Sequence, residues 1–203
     1  MDLSALSRFI DPTGRSSDPR MINAVAAFCG ATLASNSEIA DARALAAEHI
    51  SETVVTTDMF RAVQDITGSS VFVARENGQV TGMTAFFLLR PAGMKAFEEG
   101  RFDTVNVNLD YICRPREEPA GGYAWGFVGA TDKAAGRVVK ASLAVRETLF
   151  WNLAGYTRAA TNDGARLVFG ALGFNPVPGD ATLARYEARD RPFEGFMIQK
   201  QAA

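Results

Sequence analysis

Cysteine and histidine are scarce in this sequence, which limits the metal and redox chemistry that it can carry. Its 203 residues include two cysteines and one histidine. Cys29 and Cys113 lie far apart, which fits neither a zinc-ligand cluster nor a redox CxxC motif. Cys29 occurs in the apolar run AVAAFCGA and, like Cys113, is predicted to be a small buried side chain. With His49 as the sole histidine, no metal site is expected.

Long apolar runs and a strong excess of one charge are also missing. The first residues, MDLSALSRFIDPTGRSSDPR, have neither the basic start nor the apolar core of a signal peptide. The longest apolar stretch elsewhere, MTAFFLL, is too short to span a bilayer. The formal net charge of -2 offers no general attraction for nucleic acid or an anionic membrane. We therefore expect a cytoplasmic protein that binds neither.

The composition predicts one globular domain, because 47% of the residues are hydrophobic and 22% are charged. We divide the chain into a polar N-terminal leader, residues 1–17, and a single domain, residues 18–203. Three helices follow the leader in DPRMINAVAAFCGATLA, SEIADARALAAEHI and TTDMFRAVQDI. Their predicted N-caps are Asp18, which precedes Pro19, then Ser37 and Thr57.

The strand signals come next and set the predicted fold class. In SSVFVARENGQVTGMTAFFLL, aromatic and β-branched residues flank Asn77-Gly78, a dipeptide typical of a tight hairpin turn. A polar, Pro/Gly-rich excursion leads to the strand YAWGFVGAT. Next come a helix from Arg137 to about Leu153, the strand YTRAAT and a helix opened by Asn162. The order ends with one or two strands around Leu183, Tyr186 and Phe196. This order predicts an α/β (α+β) sheet with helices on its faces.

The junction TDKAAGRVVKAS, residues 131–142, joins a strand to a helix through a lone glycine. A helix that begins directly after a strand presents unpaired N–H groups and the positive end of its dipole, which suits a phosphate. Lys133, Arg137 and Lys140 add positive charge beside Gly136. The spacing matches neither a P-loop nor a dinucleotide fingerprint, so an ordinary structural turn remains the alternative.

As a unit, the second half of the chain resembles the GNAT family of acyl-CoA-dependent acyltransferases. The resemblance covers roughly residues 70–178. The phosphate-loop pattern of the family, Gln/Arg-x-x-Gly-x-Gly/Ala, is matched by Lys133, Gly136 and Val138. Its later pattern, Asn-x-x-Ala followed by a helix ending in Gly-Phe, is matched by Asn162, Ala165, Gly173 and Phe174. The resemblance implies a mixed, largely antiparallel central sheet flanked by helices, with an insertion between the third and fourth strands.

The resemblance also implies where a coenzyme A thioester binds. Its pyrophosphate meets the backbone N–H groups of residues 134–138, and its pantetheine arm pairs with the strand AWGFVGAT, whose N–H polarises the thioester carbonyl. The implied binding residues are Val128, Lys133, Ala134, Ala135, Gly136, Arg137, Val138, Asn162 and Phe169. Phe169 takes the place where many relatives carry the tyrosine that protonates the departing thiolate.

An amine nucleophile must also lose a proton, so a base is expected near the active strand. Glu117 and Glu118 are candidates by proximity to the presumed active strand, with a solvated loop carboxylate as the alternative for each. Acidic residues of the insertion, Glu98, Glu99, Asp103 and Asp110, suit a cationic acceptor, although such runs are usually solvated surface.

These residues lead to one functional hypothesis with an alternative. The chain is expected to be an acyl-CoA-dependent N-acyltransferase, and specifically an N-acetyltransferase. It transfers the acyl group directly from acetyl-CoA or another acyl-CoA to an amine of a small molecule or peptide, without a metal. The alternative is a catalytically degenerate GNAT-like protein that serves as a coenzyme A-binding or regulatory protein. A third hypothesis is a scaffold without a coenzyme A site. Trp151, on the polar side of its predicted helix, suggests a contact surface and leaves a homodimer open.

Overall fold

The structure is a computed structural model that describes residues 3–50 and 55–192. The strands in this part of the chain are β1 (Thr32–Leu33), β2 (Val71–Glu76), β3 (Gln79–Leu89), β4 (Gly121–Gly129), β5 (Gly155–Arg158), β6 (Asn175–Val177) and β7 (Asp180–Tyr186). The helices are α1 (Pro19–Phe28), α2 (Glu38–His49), α3 (Thr57–Thr67), α4 (Pro91–Glu98), α5 (Asp132–Leu149) and α6 (Asn162–Ala165), which continues as a π-helix over Arg166–Ala171. Short 3₁₀ turns occupy Leu3–Phe9 and Leu109–Tyr111. None of these helices is long and apolar enough to cross a membrane.

The strands form one mixed sheet in the order β1-β2-β3-β4-β5-β7-β6. Among the described residues, β4 and β5 run parallel, and the other neighbouring strands run antiparallel. The segment between β3 and β4 carries α4 and the second 3₁₀ turn, so the predicted insertion lies where it was expected. This arrangement confirms the predicted fold class.

The hairpin that joins β2 to β3 also forms as predicted. Asn77 and Gly78 both have positive φ, 51° and 80°, which a two-residue turn of this type requires. The final strands include Leu183 and Tyr186 in β7. Phe196, the other residue of the predicted tail strands, lies outside the described residues.

Helices cover both faces of the sheet. On one face, α1 and α5 pack against strand residues such as Phe72 and Leu88. On the other face, α2 and α3 cover Val71, Val73 and Met83. Phe72, Val71 and Val73 are at most 1% exposed, so the central strands are buried on both sides. This burial fixes the strand register, because a slip of one residue would exchange the two faces.

Helix caps follow the backbone conformation more closely than the residue type. Asp18 caps α1, and its side chain accepts the N–H of Arg20 as predicted. The predicted cap of α3, Thr57, is wrong: Thr56 is the cap, because its extended backbone lets its hydroxyl accept the N–H of Met59. Ser37 precedes α2 but already has helical φ and ψ, so its side chain does not cap.

Helix α5 begins earlier and ends earlier than predicted. The sequence predicts residues 137–153, whereas the helix runs from Asp132 to Leu149. Thr131 is the cap, and its hydroxyl accepts the N–H of Ala134 at 3.1 Å. Gly136 therefore lies inside the helix, where it costs about 1 kcal/mol relative to alanine. The buried face of α5 outweighs that cost, since Val138 and other residues of this face are almost fully buried.

The described part of the N-terminal leader packs against the end of α5. The N–H of Asp11 donates to the carbonyl of Thr148 at 2.9 Å, and the indole of Trp151 donates to the carbonyl of Asp11 at 3.0 Å. Trp151 is only 7% exposed as a result. Trp151 is thus covered by the N-terminal segment of the same chain and forms no exposed contact surface. The homodimer stays a prediction, and Trp151 no longer supports it.

An ion pair between α2 and β2 makes stability depend on pH. Arg75 donates to both carboxylate oxygens of Glu38, at 2.5 and 2.8 Å. This guanidinium lowers the pKa of Glu38 from 4.5 to about 2. A depressed folded-state pKa means that the contribution is complete above the unfolded value and is lost as the pH falls towards 2.

Replacing Arg75 by glutamine should therefore destabilise the protein most near neutral pH. The difference from wild type in the free energy of unfolding should shrink as the pH falls from about 4.5 to about 2. Urea denaturation over this range measures it. The matched variant Arg166→Gln, whose partner Asp163 is 91% exposed, should differ little from wild type at any pH. A difference for Arg75→Gln that does not vary with pH would contradict the prediction.

Candidate functional site

A groove opens where β4 and β5 separate. The two strands are paired over three residues, from Gly122 with Gly155 to Ala124 with Thr157. Beyond this point β4 continues along β3, while β5 ends with Arg158 paired to β7. The hydroxyl of Thr157 donates to the carbonyl of Ala124 at 2.9 Å and closes the ladder. On the side of β5, no described strand therefore pairs with β4 past Ala124.

A β-bulge lies at the start of this edge. Ala85 of β3 is opposite Gly126, and the next residue, Phe86, is opposite Ala124. Trp125 is thus the extra residue on β4. A bulge of this kind bends its strand and redirects the groups that follow it. Single-sequence patterns do not predict it, because it exists only relative to β3.

The bulge decides which backbone N–H faces the groove. The N–H of Ala130 donates to the carbonyl of Thr81 on β3 at 2.8 Å. Because N–H groups alternate between the two sides of a strand, that of Val128 also faces β3 and that of Phe127 faces the groove. Val128, one of the predicted binding residues, instead contributes a side chain that is 7% exposed to the core under α2 and α3.

The groove has a volume of about 240 Å³ and two chemically different walls. Its wall on the α2 and α3 side is apolar, with Ile50 and Phe60 among its residues. The opposite wall, from β5 to α6, includes Thr157 and Thr161, whose hydroxyls bond to the carbonyl of Ala124 and the N–H of Gly164. Arg158 is the charged side chain among the described lining residues, and it is engaged by Asp180 at 2.6 Å. No carboxylate or imidazole of the described residues borders the groove.

The insertion between β3 and β4 supplies one edge of the groove. The indole N–H of Trp125 donates to the carbonyl of Thr104 at 2.6 Å, which ties the insertion to the bulge. Thr104 and Val105 both border the groove. The adjacent Asp103 does not border it, because its carboxylate accepts the N–H groups of Val105 and Asn106. The predicted acidic residues of the insertion thus do not line the groove.

The predicted phosphate loop is not a loop in the structure. The β4 strand ends at Gly129, and α5 begins only three residues later. The N–H of Ala134 is taken by the Thr131 hydroxyl, and that of Ala135 donates to the Thr131 carbonyl at 2.9 Å. Gly136, Arg137 and Val138 lie within the helix, where N–H groups bond to the carbonyl four residues earlier. At this helix start, the N–H groups of Asp132 and Lys133 have no intrahelical partner, because no carbonyl lies four residues earlier within the helix.

The side chains of Lys133 and Arg137 contact β2 and do not border the groove. The ammonium of Lys133 lies 3.2 Å from a carboxylate oxygen of Glu76. The guanidinium of Arg137 donates to the backbone carbonyl of Arg75 at 3.1 Å. Val138 is completely buried. Phosphate binding by these residues stays a prediction, and their geometry differs from the cradle that the resemblance implies.

Glu117 and Glu118 do not border the groove. Arg90 donates to both oxygens of Glu117, at 2.7 and 2.5 Å, and holds its pKa at about 2. A carboxylate so occupied is a weak base at neutral pH. Glu118 is 80% exposed and lies 3.6 Å from Arg15. The role of either glutamate as a base stays a prediction that this geometry does not support.

Helix α6 supplies the far wall of the groove, although not through the predicted residues. Asn162 is exposed, and the cap of α6 is Thr161, whose hydroxyl accepts the N–H of Gly164 at 3.0 Å. The helix thus begins at Asn162 as predicted, and the residue before it is the cap. Phe169 does not border the groove and packs into the cluster around Phe174 on the α5 side of the sheet.

Three groove residues were not singled out from the sequence. Tyr123 of β4, Arg158 of β5 and Thr104 of the insertion come together only through the separation of the strands. The cysteines behave as predicted: both are buried, and burial raises the pKa of Cys29 to about 11 and of Cys113 to about 12. In the described part of the chain, His, Cys, Asp and Glu form no group of three or more that could hold a metal.

One of three comparisons with known proteins found similar proteins, and it is the comparison with solved structures. No protein-family model and no curated protein matches the chain. Among solved structures, it is similar to the histone acetyltransferase HPA2 and related acetyltransferase from Corynebacterium glutamicum, at 16% identity and a TM-score of 0.44 over 80% of this chain and 96% of the other. It is also similar to the ribosomal-protein-alanine N-acetyltransferase from Brucella melitensis, at 14% identity and a TM-score of 0.45 over 77% of this chain and 98% of the other.

A third similar structure is Naa20 from Chaetomium thermophilum in complex with a bisubstrate analogue, at 13% identity and a TM-score of 0.47 over 84% of this chain and 90% of the other. These neighbours are GNAT-family acetyltransferases. At this level of identity the likeness concerns the fold alone. The solved structures to which this chain is similar are therefore of the family that its sequence resembles.

Proposed function

We propose that this protein is an acyl-CoA-dependent N-acyltransferase, with acetyl-CoA as its first candidate donor and an amine of a small molecule or peptide as acceptor. The observation that carries the proposal is the edge of β4 beside the groove, where no described strand pairs with β4 past Ala124 and the N–H of Phe127 faces the groove. An extended pantetheine arm carries amide groups and can pair with such an edge as an added strand would.

The same edge offers the electrostatic help that acyl transfer needs. A backbone N–H that points at a thioester carbonyl stabilises the negative charge that develops on its oxygen during attack. The N–H of Phe127 meets this requirement without any special side chain. The apolar α2 and α3 wall keeps water from this part of the groove and strengthens the interaction. The amine approaches from the open side of the groove, past Val105, which is 41% exposed.

The two ends of coenzyme A do not fit equally well. The groove suits the pantetheine arm in shape and in hydrogen-bonding groups. The nucleotide end would meet the capped start of α5, where the N–H groups of Asp132 and Lys133 have no intrahelical partner and Glu76 already pairs with Lys133. Most of the binding energy is therefore expected to come from the groove, and the phosphates take no part in the chemical step.

A valine at Gly126 tests the groove directly. The Cβ of residue 126 would lie 3.2 Å from the flexible end of Ile50, so the new side chain fills the groove while the strand is kept. We expect the dissociation constant for acetyl-CoA, measured by calorimetry, to rise about tenfold or more, which corresponds to about 1.4 kcal/mol. The matched variant Gly122→Val, on the same strand but outside the groove, should bind as wild type does.

Thiol release with a panel of amines then separates the outcomes. Saturable binding lost in Gly126→Val, together with thiol release that depends on an amine, supports the transferase. Binding without turnover with any amine would point to the alternative, a protein that binds coenzyme A without catalysis. No binding to wild type at millimolar acetyl-CoA would overturn both.

A further inference from the structure

A second cavity lies on the other face of the sheet, under α5. Its volume is about 80 Å³, and its walls come mainly from β3, β4, β5 and α5, with Phe86, Ala124, Leu143 and Phe150 among its residues. The described residues of α2 and α3 that form one wall of the groove do not border this cavity. The acyl transfer proposed above makes no use of it.

Two paired glycines leave this space open. Gly122 of β4 is opposite Gly155 of β5, and on its other side it is opposite Leu88 of β3. Residues that are opposite each other in a sheet point to the same face, and Leu88 packs in the core cluster under α5. Both glycines therefore face α5 without a side chain. A Cβ at Gly122 would lie 3.4 Å from Leu88, and one at Gly155 would lie 3.8 Å from Tyr186, so both positions have room.

Strand residues beside the cavity are more accessible than their place in the sheet predicts. Phe86 and Ala124 are paired in the middle of β3 and β4, yet each is only half-buried. Phe72, which stacks on Phe86 at a centroid distance of 5.5 Å, is completely buried. The partial exposure of Phe86 thus agrees with open space on one side of its ring.

The polar side chains that α5 contributes to the cavity wall are already engaged. They are Ser142 and Arg146. The hydroxyls of Ser142 and Thr84 share a hydrogen bond at 2.8 Å, and the guanidinium of Arg146 donates to Glu147 and to the carbonyl of Leu172. A buried water needs several polar partners, and this wall offers few. The cavity therefore favours an uncharged apolar occupant over water.

We propose that this cavity is a binding site for a small, uncharged apolar molecule. An apolar protein cavity of about 150 Å³ stays dry and binds benzene or xenon. The present cavity has about half that volume, so its ligand has the size of xenon or a short hydrocarbon such as propane. Binding is favourable because the ligand supplies the dispersion contacts that the walls around Gly122 and Gly155 lack. This site goes beyond the proposed acyl transfer and does not rest on it.

Xenon and propane are the probes that test the site. The methyl signals of Leu143 and Val145, two residues of the cavity wall, should shift saturably in NMR spectra as either probe is added to the whole protein. Ethanol has as many non-hydrogen atoms as propane, but its hydroxyl would be buried without a partner. We therefore expect ethanol to bind at least about tenfold more weakly than propane.

Two valine substitutions on the same strand provide matched variants. Gly122→Val fills the cavity, and we expect it to weaken xenon binding about tenfold or more. Gly126→Val places its side chain towards Ile50, in the groove, and should bind xenon as wild type does. Acetyl-CoA binding should show the reverse pattern. If Gly122→Val does not fold, Gly155→Ala replaces it, because its Cβ meets only Tyr186 at an ordinary contact distance.

The outcomes separate this proposal from the proposed function. Without saturable shifts in wild type, or with equal shifts in wild type and the filled variant, the cavity is a packing void only and the proposal is overturned. Ethanol that binds as well as propane would overturn the apolar class of ligand. Xenon binding in a protein that does not bind acetyl-CoA would support this site and overturn the acyl transfer.

Discussion

Replacing Glu147 by alanine is expected to lower the free energy of unfolding by about 3–5 kcal/mol. Glu147 is 5% exposed, and its carboxylate accepts hydrogen bonds from Arg146 at 2.7 Å, Arg189 at 2.5 Å and the hydroxyl of Tyr186 at 3.2 Å. The guanidinium of Arg146 also stacks 3.6 Å above the ring of Tyr186. Without the carboxylate, Arg146, whose side chain is only 16% exposed, would lose its counter-charge and face the second cation, Arg189.

Urea denaturation of the variant measures this loss. The control is Asp163→Ala, which removes an exposed carboxylate whose partner Arg166 is 82% exposed, and it should change stability by less than about 0.5 kcal/mol. A loss below about 1 kcal/mol for Glu147→Ala would mean that water reaches the two guanidinium groups. The effect should appear in stability, since Glu147 does not border the groove.

Replacing Gly129 by alanine is the second change with a large expected effect, about 3 kcal/mol of destabilisation. A Cβ at residue 129 would lie 2.6 Å from the Cα of Ala135. Neither residue can move easily. The backbone of Gly129 is paired with β3, and Ala135 lies in the first turn of α5. Relief would require α5 to move away from β4, which would expose part of its buried face.

Gly136→Ala is the opposite case and the control for Gly129→Ala. A Cβ at residue 136 meets nothing within 4 Å, and the position is in the interior of α5. This variant should therefore gain about 0.5–1 kcal/mol from helix propensity. Thermal unfolding of wild type and the two variants should show a lower midpoint temperature for Gly129→Ala and a higher one for Gly136→Ala. A loss of stability in Gly136→Ala would mean that residue 136 lies in a loop and not in a helix.

Features that depend on neighbouring residues were predictable from the sequence. The turn at Asn77-Gly78 and the cap at Asp18 rest on local backbone preferences, which the chain satisfies wherever it lies. The left-handed glycine before Phe174 is of the same kind, since Gly173 has a φ of 71°. The hairpin and several helix ends could therefore be predicted from residues that are adjacent in the sequence.

Features that depend on distant parts of the chain were not predictable. The start of α5 was placed five residues too late because a lone glycine suggests a break, while the packing of the helix against the sheet overrides it. The bulge at Trp125 exists only relative to the register of β3. Glu117 was chosen by its nearness in sequence to β4, yet its partner Arg90 belongs to the other side of the insertion.

The contact between the N-terminal segment and the end of α5 has a consequence for synthesis on the ribosome. The indole of Trp151 and the carbonyl of Asp11 that it binds are 140 residues apart in the chain. At about 5–20 residues per second, on the order of 10 s pass between the synthesis of the two partners. During this interval Leu6, which is 1% exposed in the finished structure, has none of its α5 contacts. Residues 5–11 can therefore adopt their final packing only after α5 has been made.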